Sequence, residues 1–325
     1  MKNKTVVLLY NKISENPKED ELDVIRQMRH IEGALKILGY ESVRVPFAIE
    51  LDEVIKTLKS INPVLAFNLV EMVEGTGELL HLGPSILQYL RIPYTGVQLE
   101  AMFLTTSKVL AKKQLNFLNI NTSGWYTTDE IHKLRNDQMY IVKPIWEDGS
   151  LGVDEHCVFS GGDKAYLKTL KKLNKNSFFI EQYIDGREFN LSMLGGKAGP
   201  QVMPPAEILF TDYPEGKHRI VGYNAKWKED SFEYNHTPRT FRYPKHDLPL
   251  LEQLKNMAMQ CWHGFELKGY VRVDFRVDRQ GVPYVLEVNG NPCISPESGY
   301  VAATKRAGLK FYQVVERIIE DALDN

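Results

Sequence analysis

Four polar side chains share one face of a predicted hairpin in the C-terminal part of the chain. Residues 270–276 (YVRVDFR) and 284–290 (YVLEVNG) are rich in β-branched and aromatic residues, as strands are. Because strand side chains alternate between faces, Arg272 and Asp274 share a face, and so do Glu287 and Asn289. The turn-type residues 278–281 (DRQG) predict that the two strands are antiparallel neighbours. The pattern therefore predicts one guanidinium group, two carboxylates and one amide on a rigid platform.

The chemistry of this platform is that of a metal–phosphate site. Carboxylate and amide oxygens suit Mg²⁺, which binds few protein groups and keeps positions for water and substrate phosphates. Asp274, Glu287 and Asn289 are therefore the predicted metal ligands, and Leu286 and Val288 are expected on the opposite, core-facing side. The alternative is a half-exposed hairpin whose polar face only meets water. The core-like opposite face favours the site.

Further segments carry a family resemblance. They are 140–152 (YIVKPIWEDGSLG), 179–189 (FIEQYIDGREF), 204–210 (PPAEILF), 223–227 (YNAKW), 286–292 (LEVNGNP) and, in the N-terminal third, 67–69 (FNL), 92–96 (IPYTG) and 107–108 (SK). In this order the segments resemble those of the ATP-grasp enzymes, and within them the D-alanine–D-alanine ligase type. The resemblance covers nearly the whole chain.

The resemblance implies an ATP-grasp fold of the α/β class, with α+β character in the C-terminal two-thirds. It divides the chain into a Rossmann-like N-terminal domain, 1–104, and two lobes that sandwich ATP, 105–182 and 183–325. The residue pattern of the first third agrees with this. Predicted strands at 5–10, 42–46 and 64–67 alternate with predicted helices at 20–38 and 51–61. This alternation is typical of a small parallel sheet with helices on both faces.

The remaining elements are predicted from hydrophobic periodicity and from the positions of turn-forming residues. We expect a linker helix at 108–118, strands at 139–144, 156–159, 177–182, 187–194 and 206–210, and helices at 163–173, 248–265 and 311–323. The stretch 211–243 has no clear periodicity and is long for a loop. Loops of this length are commonly functional, and we expect a partly ordered lid. The short Gly75-Thr-Gly77 stretch lacks the third glycine of a dinucleotide fingerprint.

Three lysines are candidates for binding phosphates. Lys143 lies on a predicted strand beside a loop, 149–152, whose small residues include Ser150 and allow backbone N–H groups to close over phosphates. A lone lysine is usually only a solvated surface group, and the neighbouring loop favours the functional interpretation. The resemblance adds Lys108 and Lys226 as lysines that contact the nucleotide phosphates. Lys108 begins a helix and could equally be structural.

The resemblance also implies contacts to the nucleoside. The backbone of Glu181, Gln182, Tyr183 and Ile184 resembles the segment that hydrogen-bonds adenine, and Glu188 resembles the residue that accepts hydrogen bonds from the ribose hydroxyl groups. Almost any side chains allow such backbone contacts. Glu188 could also be an ordinary charge at a strand edge.

The implied activity is that of an ATP-dependent carboxylate–amine ligase, which is a carbon–nitrogen ligase. ATP and Mg²⁺, or Mn²⁺ in its place, would convert a carboxylate into an acyl phosphate, which an amine then attacks, with release of ADP and phosphate. The resemblance makes Arg272 the donor to the tetrahedral oxyanion, Ser298 a contact to the second substrate and Glu15 a contact to the first amino group. A kinase-like phosphotransferase and a non-catalytic ATP-binding regulatory protein remain alternatives.

Several substrate-facing positions depart from the family pattern. Glu71 stands where the family has the histidine of a His-Gly pair, Trp227 replaces the lid tyrosine, Gly290 replaces a threonine and Cys293 replaces a glycine. The segments assigned to ATP are retained. The pattern therefore predicts a substrate other than D-alanine.

Composition limits the partners. The 325 residues carry a net charge of −2, so no basic field indicates binding to nucleic acid or to an anionic membrane. No apolar run has the length of a membrane span, no signal peptide is evident, and the three cysteines lack metal-ligand spacing, which favours a reducing cytoplasm. The Lys112-Lys113 pair is expected on a solvated helix face. Small-molecule carboxylates and amines are the expected partners, and the resemblance suggests a homodimer as one assembly.

Overall fold

The computed structural model describes residues 4–17, 19–147 and 149–324, and within them the strands form three sheets. The first sheet is parallel and contains β1 (Thr5–Asn11), β2 (Glu41–Phe47) and β3 (Leu65–Leu69) in the order β2-β1-β3. The connecting helices are α1 (Glu19–Ile37) and α2 (Leu51–Ile61). The predicted parallel sheet is therefore confirmed. Two further helices, α3 (Leu82–Tyr89) and α4 (Leu99–Thr106), complete this part of the chain.

The alternation of side chains along β1 explains why helices cover both faces of this sheet. Val6 and Leu8 are fully buried in the core that contains the apolar residues of α1. Val7 and Leu9 are fully buried in the other core, which contains Val54 and Leu58 of α2. A strand buried on both faces reads as a continuous apolar run, as residues 6–9 do.

The second sheet is antiparallel and has a core of its own. After helix α5 (Lys108–Phe117) come β4 (Trp125–Thr127), β5 (Met139–Pro144), β6 (Val158–Ser160), helix α6 (Lys164–Leu170) and β7 (Phe178–Gln182). The strand order is β4-β7-β5-β6. Tyr140, Phe159 and Ile180 belong to a cluster that lies within this part of the chain. Residues 125–182 therefore form a separately packed lobe.

The third sheet begins immediately after the second. Its strands are β8 (Gly186–Leu194), β9 (Gln201–Val202), β10 (Ala206–Ile208), β11 (Arg239–Thr240), β12 (Tyr270–Asp278) and β13 (Pro283–Asn289). The main path runs β11-β10-β8-β12-β13, with β9 paired to β8. The helices are α7 (Tyr223–Trp227), α8 (Phe232–Asn235), α9 (Leu248–Gly264), α10 (Gly299–Arg306) and α11 (Phe311–Leu323). The two apolar cores of the N-terminal sheet continue into this lobe.

The predicted hairpin is confirmed, with one irregularity. Strands β12 and β13 pair antiparallel, with Arg272 opposite Asn289 and Asp274 opposite Glu287. The register shifts after Asp274, so that Leu286 is an extra residue in β13. A bulge of this kind turns the extra side chain out of strict alternation. The expectation that Leu286 faces the core is therefore wrong: its side chain is half-buried and lines a cavity together with Glu287.

A close backbone contact fixes the start of β12. Gly269 has φ +67°, its N–H donates to Asp321 Oδ2 at 2.7 Å, and its carbonyl accepts from the N–H of Gly195 at 2.7 Å. A Cβ atom at Gly269 would lie 2.9 Å from the backbone N and Cα atoms of Gly96. Only glycine meets both the backbone conformation and the space at this position.

We expect Gly269→Ala to destabilise the protein more than Gly281→Ala. Both glycines have positive φ, but a Cβ at Gly281 meets open space. The control should therefore lose about 1–2 kcal/mol in the free energy of unfolding from backbone strain alone. Gly269→Ala should lose about 1–3 kcal/mol more through overlap with Gly96. Urea unfolding of both variants measures the difference, and equal losses would contradict the steric argument.

Candidate active site

The nine residues predicted to contact the nucleotide line one cavity between the second and third sheets. They are Lys108, Lys143, Ser150, Glu181, Gln182, Tyr183, Ile184, Glu188 and Lys226. Asp274 and Glu287 of the hairpin line the same cavity. Residues far apart in sequence therefore meet at one place, because β5 and β7 form one wall while β8, β12 and β13 form the other.

The backbone of the predicted adenine segment is partly engaged already. The N–H groups of Gln182 and Tyr183 donate to the carbonyl groups of Gly124 and Met139 at 2.8 and 3.0 Å. Both bonds hold the end of β7 within its own lobe. A base bound here would have to use the other backbone polar groups of 181–184.

A buried carboxylate lies between two lysines beneath this segment. Glu181 Oε1 is 2.7 Å from Lys112 Nζ, and Glu181 Oε2 is 2.9 Å from Lys143 Nζ. The side chains of Lys112 and Glu181 are each 1% exposed, whereas that of Lys143 is 19% exposed and lines the cavity. Burial alone would raise the pKa of the Glu181 carboxyl, but the two ammonium groups lower it to about 2. The expectation that Lys112 lies on a solvated helix face is therefore wrong.

Helix α5 presents a second lysine to a second carboxylate. Lys108 lies one turn before Lys112, with Nζ 3.1 Å from Glu287 Oε1 and donating to the carbonyl oxygen of Glu147 at 2.6 Å. Residues four apart on a helix lie on one face. A single helix face therefore reaches both Glu181 on β7 and Glu287 on β13.

Polar side chains cover one face of three adjacent strands. Arg272 donates to both oxygens of Asp274 at 2.8 Å, and Asn190 of β8 donates to Asp274 Oδ1 at 2.8 Å. Asn289 accepts a hydrogen bond from the backbone N–H of Asn291 at 2.9 Å. The carboxylate of Asp274 is thus held in a fixed orientation by three charged or polar donors.

Sequence reasoning missed Arg276, the partner of Glu188. The two residues lie opposite each other in the β8–β12 pairing, and Arg276 Nη2 is 2.9 Å from Glu188 Oε2. Arg276 also donates to the carbonyl groups of Gly186 and Arg219, and its guanidinium lies 5.2 Å from the ring centroid of Phe210. The signal was available, because strand alternation places position 276 on the same face as 272 and 274.

A second cavity adjoins the first. Arg272, Asn289 and Ser298 line it, and Glu188, Val221, Lys226 and Asp274 line both cavities. Ser298 is also the N-cap of α10, where its Oγ accepts a hydrogen bond from the N–H of Val301 at 3.2 Å. Two of the three predicted substrate residues, Arg272 and Ser298, and the predicted nucleotide residues therefore line two adjoining cavities.

Lys226 is the cation at this junction. Burial and the positive charge of Arg272 lower the pKa of its ammonium group. Its Nζ forms no ion pair within 4.0 Å with a carboxylate in 4–17, 19–147 or 149–324. The amine therefore lies beside both cavities with no carboxylate partner in these ranges.

One wall of the second cavity is acidic. Glu19 and Asp23 of α1 and Glu71 after β3 line it, next to Cys293. The Cys293 thiol donates to Asp23 Oδ2 at 2.9 Å, and burial together with Glu71 and Asp23 raises its pKa well above the usual value. The thiol is therefore protonated and acts as a donor rather than a nucleophile.

The predicted contact Glu15 lies elsewhere. It is exposed in the segment between β1 and α1 and is absent from the residues that line either cavity. Acidic groups from the first two turns of α1 and from the segment after β3 are instead among those that line the second cavity. The structure therefore places Asp23 and Glu71, and not Glu15, on the walls of the second cavity.

Comparisons with known proteins decide the family. The family described as D-ala D-ala ligase C-terminus matches residues 110–320, which is more than half of the chain. The chain belongs to this family. It is 27% identical over 260 residues to the uncharacterized protein y4sG of Sinorhizobium fredii, with 79% of this chain and 74% of that protein covered. It is 27% identical over 290 residues to the D-alanine–D-alanine ligase of Aquifex aeolicus, with coverage of 88% and 91%.

The fold agrees with solved structures. The D-alanine–D-alanine ligase from Bacillus anthracis complexed with ATP superposes with a TM-score of 0.73 at 22% identity, covering 98% of this chain and 97% of that one. The predicted ATP-grasp fold is confirmed, and the chain is an ATP-dependent carboxylate–amine ligase. None of the helices in the described part of this ligase has the length and apolar character needed to cross a membrane.

The donor set of the ligase fits a hard divalent cation. Asp274, Glu287 and Asn289 offer two carboxylates and an amide oxygen from one hairpin face, the ligand type that Mg²⁺ prefers. Within the described ranges no three His, Cys, Asp or Glu side chains cluster as a complete metal site. A cation that takes its remaining ligands from phosphates and water does not need such a cluster. In this structure Arg272 and Lys108 supply the positive charge beside the two carboxylates.

The expected lid of the ligase is closed over the cavities. Trp227 Nε1 donates to the carbonyl of Gly149 at 3.0 Å, Ser150 Oγ donates to the carbonyl of Val221 at 2.7 Å, and the N–H of Tyr223 donates to Val153 at 3.0 Å. These bonds join 211–243 to residues 149–153 of the other lobe. The lid contains the short helices α7 and α8. Each bond therefore links the segment that follows β10 to the loop that follows β5, beside the first cavity.

We expect Trp227→Phe to loosen this closure. The variant keeps an aromatic ring but loses the indole N–H bond to Gly149, so limited proteolysis should cut within 211–243 several times faster. Added ATP with Mg²⁺ should slow cleavage of both the variant and the unmodified protein.

Trp146→Phe is the matched control, because its indole bond to Asn176 lies outside the lid. If the cleavage rate of 211–243 is the same in the Trp227 variant, the control and the unmodified protein, the bond does not hold the lid closed.

Proposed function

We propose that this ligase phosphorylates a small-molecule carboxylate with ATP and joins the resulting acyl phosphate to an amine. The observation that supports the proposal is the junction of two cavities at Lys226, Asp274 and Glu188. One cavity contains the lysines assigned to phosphates, and the other contains Arg272 and Ser298. A phosphoryl group at the junction would be accessible to a carboxylate in the second cavity.

The first step is in-line phosphoryl transfer. A carboxylate oxygen of the substrate forms a bond to the γ-phosphorus while the bond from that phosphorus to the bridging oxygen breaks, and ADP leaves. Lys108, Lys143 and Lys226 orient the phosphates by charge. Asp274, Glu287 and Asn289 would hold Mg²⁺, or Mn²⁺ in its place, which supplies positive charge to the phosphate oxygens.

The second step forms the carbon–nitrogen bond. The amine nitrogen attacks the acyl carbon, the electron pair moves to the oxygen, and phosphate leaves as the carbonyl re-forms with loss of a proton from nitrogen. Arg272 is the donor assigned to the tetrahedral oxyanion. Such a donor contributes about 3–4 kcal/mol to transition-state stabilisation. The closed lid excludes water, which would otherwise hydrolyse the acyl phosphate.

The substrate is an amino acid, a dipeptide or a related carboxylate, and D-alanine is a poor fit. All four positions that depart from the family pattern, Glu71, Trp227, Gly290 and Cys293, line the second cavity. At Gly290 a Cβ would lie 2.6 Å from Val97 Cγ2, so the family threonine has no room here. The differences therefore concern the substrate space rather than distant surface.

An ammonium group of a substrate would find its partner on the acidic wall. Asp23 is 5% exposed, and its oxygens meet the Cys293 thiol at 2.9 Å and the Arg26 guanidinium at 3.7 Å. A thiol is a weak donor, and a buried carboxylate is stabilised by a close cation. We assign Asp23, rather than Glu15, to the substrate ammonium group.

Two further points rest on composition and resemblance. The three cysteines are all unpaired, which agrees with a reducing compartment such as the cytoplasm. The family resemblance alone supports a homodimer, and sedimentation velocity of the purified chain tests it.

We expect Glu287→Gln to abolish turnover while the fold remains intact. The substitution removes one of the two carboxylate charges from the proposed metal platform. ADP release with Mg²⁺ is the measurement, with a thermal unfolding scan as the check on folding. Glu252→Gln, at an exposed glutamate of α9, is the matched control and should keep full activity. Asn289→Ala should lose less of the turnover rate than Glu287→Gln. Near-normal turnover of Glu287→Gln would contradict the metal assignment.

We expect a pair of D-alanine molecules to be a poor substrate. A displacement of about 1 Å at the reacting atoms costs on the order of 100-fold in rate, and four residues of the cavity wall differ. A screen of amino-acid pairs for ADP release, with mass spectrometry of the products, identifies the preferred acid and amine. Formation of D-alanyl-D-alanine at about 10 s⁻¹, a median enzymatic rate, would overturn this prediction.

The same screen separates ligation from simple phosphoryl transfer. A ligase couples phosphate release to the added amine and yields a product that contains both substrates. A phosphotransferase would instead accumulate the phosphorylated acid, with ADP release independent of the amine.

A further inference from the structure

The two oxygens of Glu181 face different surroundings. Oε1 points into the interior, where Lys112 Nζ lies at 2.7 Å and Ser123 Oγ donates a short hydrogen bond. Oε2 faces Lys143 Nζ at 2.9 Å, on the cavity side. One carboxylate is therefore shared between an interior cation and a cation that the cavity can reach.

Lys112 is built into the interior. Its Nζ also lies 2.9 Å from Thr122 Oγ1 and 3.1 Å from Ser123 Oγ, so three oxygens surround the ammonium group. Thr122 in turn donates to the carbonyl of Val285 at 2.7 Å, on the strand that carries Glu287. Burial lowers the pKa of Lys112, and the charge of Glu181 opposes this effect. With its amine inside this cluster, Lys112 has no path to a ligand.

The comparison with Glu287 shows why a second cation is needed. In this structure two of the three phosphate-directed lysines are held by glutamates, Lys108 by Glu287 and Lys143 by Glu181. When Lys108 turns to a phosphate, Glu287 is left at a site whose donor set fits a divalent cation. When Lys143 turns to a phosphate, Glu181 is left 1% exposed. A buried carboxylate without a cation is strongly destabilised.

We propose that Lys112 is a resident counter-ion that keeps Glu181 neutralised, so that Lys143 is free to move from Glu181 to the nucleotide phosphates. The inference rests on the proposed function in one respect, the role of Lys143 at the phosphates. Lys112 is a positioning residue, since it acts through Glu181 and Lys143 and contacts no substrate. Without it, Glu181 would retain Lys143 as its only cation.

The test is direct binding of ATP with Mg²⁺ by calorimetry, which does not require the ligation substrates. In Lys112→Met, Glu181 should retain Lys143. The affinity for ATP with Mg²⁺ should then fall roughly 10- to 100-fold, which corresponds to the free energy of one charge-assisted hydrogen bond. Lys113→Met is the matched control. Lys113 is the exposed neighbour on the same helix, and its loss should leave binding unchanged.

A double variant separates this role from a merely structural one. Lys112→Met with Glu181→Gln removes both charges, so nothing holds Lys143, and affinity should return to within a few-fold of the unmodified protein. The backbone of residue 181, which the resemblance assigns to adenine, is unchanged by this substitution. If Lys112→Met weakened binding only through lost packing, neutralising Glu181 would not restore the affinity for ATP.

Each outcome bears on the inference. Full affinity in Lys112→Met, or weak binding in both the single and the double variant, would overturn it. If Lys112→Met does not fold, the double variant still tests the inference, because it should fold and bind ATP with an affinity within a few-fold of normal. A loss of affinity above tenfold in the double variant would overturn the inference. Failure of the unmodified protein to bind ATP would instead count against the proposed function.

Discussion

Strand β12 is the element on which the rest of the structure depends. It lies between β8 and β13, and its side chains alternate between an apolar core on one face and the polar cavities on the other. Val271, Val273, Phe275 and Val277 are at most 1% exposed in a core shared with the N-terminal sheet. The intervening polar residues face the cavities. Burial of the apolar face therefore fixes the register, because a slip of one residue would bury the charges and expose the core.

On the hairpin side, the charges that line the cavities already have partners. Arg272 with Asp274, Arg276 with Glu188, and Lys108 with Glu287 are the pairs on the hairpin side. Charges held out of water are tolerated when they are paired. These charges are therefore desolvated during folding, and the phosphate and cation proposed above would exchange partners with them instead of requiring a new desolvation. Such preorganisation is the usual basis of electrostatic catalysis.

Features set by local periodicity could be predicted from the sequence, and features set by tertiary contacts could not. The parallel sheet and the hairpin with its four polar residues follow from alternation, and the structure has both. Leu286 was misplaced because a bulge does not alter composition. Lys112 was misplaced because two adjacent lysines usually indicate a solvated helix face. The carboxylate that pairs with Lys112 belongs to Glu181, 69 positions further along the chain. Arg276 was missed although alternation alone indicates it.

The same distinction explains why the residues that line the first cavity were easier to predict from the sequence than those that line the second. The nucleotide cavity is lined mainly from strands β5, β7, β8, β12 and β13, where position in sequence determines the face. The second cavity draws most of its walls from α1, from segments after β3 and β13, and from the lid. The sequences of loops and helix ends can vary among related proteins without disturbing the packing of the core. A chain can therefore keep the charged residues of the first cavity while Asp23, Glu71 and Cys293 reshape the second, which we propose takes the acid and the amine.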